Sequence, residues 1–236
     1  MTAVAEGPAA TTSVAPEVAL ERATKWANDY AARLTERAEH RLAELAGHSN
    51  GNGVRPRIGE PTTGDPTTGF YVGFDVVATS PIQFGGPPPY QPSKVIAAGE
   101  QAFLIAFIFV NPTVNIPLGW AVPATVQLGG RTWRMTLDQG NLTTGGVLPQ
   151  QVQTATFASP APQFTTVIFP LATPNPGPDP ALIEANVTVD IVDPAQPYAA
   201  FATTFLDVDN DPGFLGVPVS AGFRHELPNR YLIYSE

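Results

Sequence analysis

Cysteine is absent from this 236-residue chain, which excludes disulfides, thiolate metal sites and cysteine nucleophiles. Lysine is nearly absent as well: from Val54 to the end, Lys94 is the only one. Twelve basic side chains stand against 21 acidic ones, a net charge of −9. Nucleic acid is thereby excluded as a partner, because neutralising phosphates needs clustered Lys and Arg. Anionic membrane surfaces are disfavoured for the same reason. Long apolar runs are missing. The longest, Ala102 to Val110, has nine residues, so no transmembrane segment is expected. Met1–Ser13 has neither the basic nor the apolar region of a secretory signal. The expectation is a cytoplasmic chain, or one delivered by assembly or non-classical export.

Charge is scarce overall and unevenly placed. Glu17 to Ala46 has 11 charged side chains in 30 residues, whereas Val54 to Glu236 has 21 in 183. Within the charged stretch, Leu20, Ala23, Ala27, Tyr30, Leu34, Ala38, Leu42 and Leu45 recur at steps of three and four. That spacing predicts one face of a long amphipathic helix. Pro16 suits its first turn and Gly47 its end. The stripe is narrow and alanine-rich, so a partner backbone can come close. Leu20, Ala27, Tyr30, Leu34, Ala38 and Leu45 are therefore the candidate interface, toward either the chain's own body or another copy.

The rest reads as strands. All 13 phenylalanines and 24 of the 26 prolines follow Val54, a pattern of short strands punctuated by turns. Gln101–Asn111 is apolar at every second position and also between, as in a central strand covered on both faces. Ala124–Leu128 and Thr132–Leu137 flank Gly129-Gly130, a hairpin signal. Phe70–Thr79, Lys94–Ala98, Val152–Ala158, Phe164–Phe169, Ala185–Val192, Tyr198–Asp207 and Tyr231–Tyr234 complete the set. The fold expected is mainly β: an antiparallel sandwich, immunoglobulin-like or jelly-roll, preceded by one long N-terminal helix. The chain divides into a disordered arm (1–15), the helix (16–47), a flexible linker (48–69) and the sandwich (70–236).

Chemistry is thinly represented. Of three histidines only His225 lies in the body, and Ser220 nearby is not in a nucleophile elbow. The acids Glu60, Glu100, Glu184 and Glu226 are too scattered to nominate a glycosidase pair. No catalytic residues are nominated and no enzyme is expected. One acidic run, Asp207-Val208-Asp209-Asn210-Asp211, places three carboxylates at alternate positions, and calcium favours several oxygens from one turning segment. It resembles the first half of an EF-hand-type loop, with Pro212 at the glycine position and no closing glutamate. Asp207, Asp209 and Asp211 are the candidate calcium ligands, against the alternative of an acidic turn after a strand. Calcium is the only cofactor considered. Trp120, in a loop, and Tyr90, after Pro87-Pro88-Pro89, are the candidate binding aromatics. Trp133 alternates in phase with Met135 and Leu137 and reads as core.

A body so poor in charge covers itself with Thr, Gln, Asn and Pro, leaving apolar area for contacts. That favours a self-assembling structural subunit of the capsid, shell or appendage kind, partnered by itself or another protein. The second class is a carbohydrate- or protein-binding module with a loop-borne site.

Overall fold

The computed structural model describes residues 14–48, 74–110, 112, 122–192, 199–201, 203–205 and 229–235. Its elements, in chain order, are α1 (Pro16–His48), β1 (Phe74–Thr79), β2 (Ile82–Gln83), β3 (Val95–Ala97) and β4 (Ala102–Val110). Then come α2 (Ala124–Gln127), β5 (Thr132–Asn141), β6 (Gly146–Val147), β7 (Gln151–Thr156), β8 (Phe164–Leu171) and β9 (Ala181–Ile191). The last three are β10 (Ala199–Phe201), β11 (Thr203–Phe205) and β12 (Asn229–Tyr234).

Strand β4 organises the molecule, because all nine of its residues are buried. Side chains alternate across a strand. Leu104, Ala106, Ile108 and Val110 join the larger core, between two sheets. Phe103, Ile105, Phe107 and Phe109 face the other way and meet the helix α1. The result is three layers: helix, first sheet, second sheet. The double covering expected of this segment is what the structure contains.

In the first sheet β4 pairs with β8 along one edge and with β1 and β2 along the other. Strands β1 and β2 form one broken line beside β4, interrupted at Ser80 and Pro81. In the second sheet β9 pairs with β5 on one side and with β12 and β10 on the other. Beyond β5 lie β6 and β7, and beyond β12 lies β3. Most pairings are antiparallel, but β1–β11 and β3–β12 are parallel, so the sheets are mixed. Tyr198–Asp207 was expected as one strand. Its described residues form two, β10 on the second sheet and β11 on the first. A chain changing sheets in this way turns a corner of the sandwich.

Helix α1 packs through Ala19, Ala23, Ala27, Tyr30 and Leu34, at steps of four, four, three and four. Small alanines face large phenylalanines, which brings the helix close to the sheet. Tyr30 stacks on Trp26 at 4.8 Å and touches Phe107 at 5.4 Å. Polar ties fix the rotation: Arg22 Nη1 donates to the Phe84 carbonyl (2.7 Å), and Trp26 Nε1 to the Tyr90 carbonyl (3.2 Å). The first turn corrects the expected stripe. Leu20 is 47% exposed and Ala19 takes the buried position.

A second correction concerns Ala124–Leu128, expected as a strand. It is a single helical turn with Pro123 ahead of it. The Pro123 carbonyl accepts from Val126 and Gln127 N–H, and Ala124 carbonyl from Leu128 N–H (2.8 Å). Helical spacing puts Ala124 and Leu128 together in the inter-sheet core. Gly129 and Gly130 therefore lead from this turn into β5, Gly130 with φ +74°, rather than closing a hairpin. Residues 1–13 and 49–73, which are most of the arm, most of the linker and the start of the expected strand Phe70–Thr79, lie outside the described residues.

Candidate functional site

The two sheets differ in what covers them. The first has α1 across its outer face. Among the described residues nothing covers the outer face of the second. Strand alternation puts Trp133, Met135, Leu137, Ile183, Val189 and Tyr231 inward, with Arg134, Thr136, Glu184, Thr188, Asp190 and Arg230 outward.

Four of the charges on this face form two directly opposed pairs. Arg134 on β5 is in register with Asp190 on β9 and bonds it at 2.6 and 3.2 Å. This fork holds the guanidinium above its ordinary pKa, chiefly through the hydrogen bond to Asp190 and then through its charge. Arg230 on β12 is in register with Glu184 and meets it at 2.7 Å. Asp138 accepts from Gln150 Nε2 at 2.7 Å. The face is close to neutral in a chain of net charge −9.

An apolar row crosses the same face. Val95 on β3 stands beside Leu232 on β12, and Leu232 beside Leu182 on β9. Leu142 follows, its N–H donating to the Leu182 carbonyl (2.8 Å). Val95 and Leu142 are each 49% exposed and Leu232 37%, with Leu182 half-buried. Such a row crosses three strands, ends on the residue that follows β5, and has no charge of its own.

A cleft of about 310 Å³ lies elsewhere, between the start of α1 and the loops of the first sheet. Val14, Pro16, Ala19, Gly85, Glu100 and Thr173 are among the residues that line it. Glu100 Oε1 accepts from Gly85 N–H (2.8 Å), and a Cβ at Gly85 would meet that oxygen at 2.1 Å. Glycine is what allows the contact. Glu100 is the cleft's single titratable side chain, so its described lining offers one carboxylate and no nucleophile–base pair.

The residues singled out in the sequence fall in different places. Ala27, Tyr30 and Leu34 are buried against the chain's own first sheet. The side chains of Ala38 and Leu45 lie outside what is described, as do Trp120, His225 and Asp207, Asp209 and Asp211. Tyr90 is half-buried with its ring against Phe84 at 4.8 Å, so it belongs to the helix-docking cluster. Trp133 is core, 6.3 Å from Phe157. Among the described residues, no group of three or more His, Cys, Asp or Glu is placed to hold a metal. Nor is any described helix long and apolar enough to cross a membrane. The opposed charge pairs and the row Val95–Leu232–Leu182–Leu142 were not found from sequence; they exist only once strand register is known.

No protein-family model matches this chain, and no curated protein matches it in sequence.

Proposed function

We propose that this chain is a structural subunit that assembles with copies of itself through its sandwich. The observation that carries the reading is the unequal covering of the two sheets. The helix is spent on the first sheet, and the second keeps a broad face with paired charges and an apolar row. Neutrality matters here. Two copies of a −9 chain repel at long range, and the surface where they approach most cheaply is the one whose charges are already paired. Size-exclusion chromatography with light scattering, followed by electron microscopy, tests this. Assembly predicts a mass that rises with concentration to a defined oligomer, and a monomer at every concentration refutes it.

The cleft beside α1 supports a second reading, a binding module for a small polar ligand or sugar; calcium at Asp207, Asp209 and Asp211 belongs to this reading on the sequence alone. About 300 Å³ is the lower end of the range for small-molecule sites. A ligand that binds the folded state raises the melting temperature. A sugar panel and millimolar calcium that leave it unchanged remove this alternative.

A further inference from the structure

We infer that two copies join edge to edge through β7, antiparallel about a two-fold axis at Thr154. The proposal rests on the assembly reading above and adds to it a contact at the edge of the same sheet.

Strand β7 is Gln-Val-Gln-Thr-Ala-Thr, an outer strand of the second sheet. It pairs with β5, and no other backbone hydrogen bond reaches it among the described residues. Its free side is identifiable. In an antiparallel ladder the N–H and C=O of one residue point the same way, and residues alternate. Phe157 N–H donates to the Arg131 carbonyl across the pair (2.9 Å), so Ala155, Gln153 and Gln151 also turn toward β5. Val152, Thr154 and Thr156 therefore point their backbone groups outward.

Edge strands are commonly blunted by lysine, proline, bulges or coverage. Strand β7 has no lysine, proline or bulge, and nothing covers it among the described residues. The contrast with β8, the neighbouring edge in the first sheet, is informative. There Gln153 Nε2 donates to the Ile168 carbonyl and Gln151 Nε2 to the Pro170 carbonyl, each at 2.7 Å. The inward side chains of β7 thus cap the edge of β8, while among the described residues its own outward backbone groups have no partner.

The occupant follows from the strand's composition. A copy of β7 brings no charge to the axis, so no like charges oppose each other there. Thr154 faces Thr154, and Val152 faces Thr156 in both directions. These are threonine and β-branched cross-strand pairs, which favour pairing. All outward N–H and C=O groups of the three residues are satisfied by this one register. The contact is isologous, so it closes as a dimer.

The full-length chain provides the test. Thr154→Pro removes the central outward N–H, and proline is tolerated at an edge when its nitrogen faces away from the ladder. Val152→Lys leaves the backbone intact and adds a charge beside the axis. Light scattering should show the wild type dimerising and each variant weakened, Thr154→Pro by roughly ten- to a hundredfold in Kd. Far-UV circular dichroism should be unchanged for Val152→Lys. The chain has no cysteine, so Thr154→Cys introduces a unique one, with partner Cα atoms about 5.5 Å apart, within disulfide reach. Mild oxidation should give a covalent dimer, and Asp29→Cys on the exposed helix surface should not. Wild-type association that survives both edge variants, with no crosslink at 154, overturns β7 pairing and leaves assembly through another surface standing. A wild type that stays monomeric overturns both.

Discussion

Replacing Tyr30 by alanine tests the docking of α1 and its rotational phase together. Tyr30 is 8% exposed, so nearly the whole side chain is withdrawn from water. A buried aromatic of about 150–250 Å² at about 25 cal/mol/Å² contributes about 4–6 kcal/mol. That figure uses an extended unfolded chain and is an upper bound, and aromatic-to-alanine changes in cores cost about 3–5 kcal/mol. The stack on Trp26 and the contact with Phe107 disappear with the ring. Taking about 4 kcal/mol, a chain of this size should lose about 8–16 °C in Tm. Leu20→Ala is the matched control on the same helix. Its side chain is 47% exposed, and the expected change is within about 0.5 kcal/mol. Thermal melts by circular dichroism, with tryptophan emission reporting the loss of the Trp26 stack, measure both. Equal losses for the two variants would refute the phase described here, and a neutral Tyr30→Ala would refute docking itself.

Three further outcomes follow from buried and half-buried polar groups. Burial pushes the Tyr231 phenol well above its ordinary value, against a smaller lowering by the Gln139 amide that donates to it at 2.7 Å. The folded state therefore keeps this proton where the unfolded chain loses it. Stability should be undiminished below about pH 10 and fall above it by about 1.4 kcal/mol per pH unit from this group. Tyr231→Phe should flatten the alkaline decline, and an unchanged slope in pH-dependent denaturation contradicts the assignment. Gly85→Ala should displace the Glu100 carboxylate and cost about 1.5–3 kcal/mol in urea unfolding, the net worth of one hydrogen bond to a charged group. Gln83→Glu should cost about 1–3 kcal/mol at neutral pH, because Gln83 Nε2 donates to the Ala97 and Glu100 carbonyls. Facing those oxygens, the new carboxyl is raised in pKa. Its stability contribution is present below the unfolded value of about 4.3 and is lost as pH rises, so the variant should recover at pH 4.

The parts of the fold legible in the sequence are those where burial leaves a periodic trace. Gln101–Asn111 had large apolar residues on both faces, and that is enough to place it between two layers. Trp133, Met135 and Leu137 alternated cleanly against Arg134 and Thr136, and their inward direction followed. The α1 stripe was readable from Ala23 to Leu34 but was misplaced at its start. Hydrophobicity favours Leu20 over Ala19, yet Ala19 lies four residues before Ala23 on the buried side of the helix, and Leu20 is turned out of it. The turn Ala124–Gln127 was lost because four residues cannot show a helical period, and the glycine pair after it mimicked a hairpin. The candidate surfaces left the weakest trace. Val152–Ala158 reads as a strand, but the segment shows no apolar inside against a polar outside, since Gln151 and Gln153 are themselves on the inward side of β7. Cross-strand pairs such as Arg134–Asp190 join residues 56 apart, and nothing local in the sequence connects them.

The scarcity of charge in the body has a structural counterpart in how its polar groups are joined. An amide side chain has both a donor and an acceptor, and so can stand in for a peptide unit. Gln83 does this at one side of the sandwich: Oε1 accepts from Ala97 N–H and Nε2 donates to the Ala97 carbonyl, both at 2.9 Å. The first sheet is thereby linked to the second as though a strand continued between them. On the opposite side Gln151 and Gln153 reach from β7 to the carbonyls of β8. Asn229 joins the sheets in the interior, donating to the Thr79 carbonyl at 2.6 Å. Charged groups would serve badly in these places, because each buried ion would need a partner and a desolvation cost would remain. Amides avoid that cost but give up something in return. A lysine on an edge strand repels other edges, whereas a glutamine turned inward does not. The device that closes the sandwich thus leaves β7 without the charge that would keep another strand away.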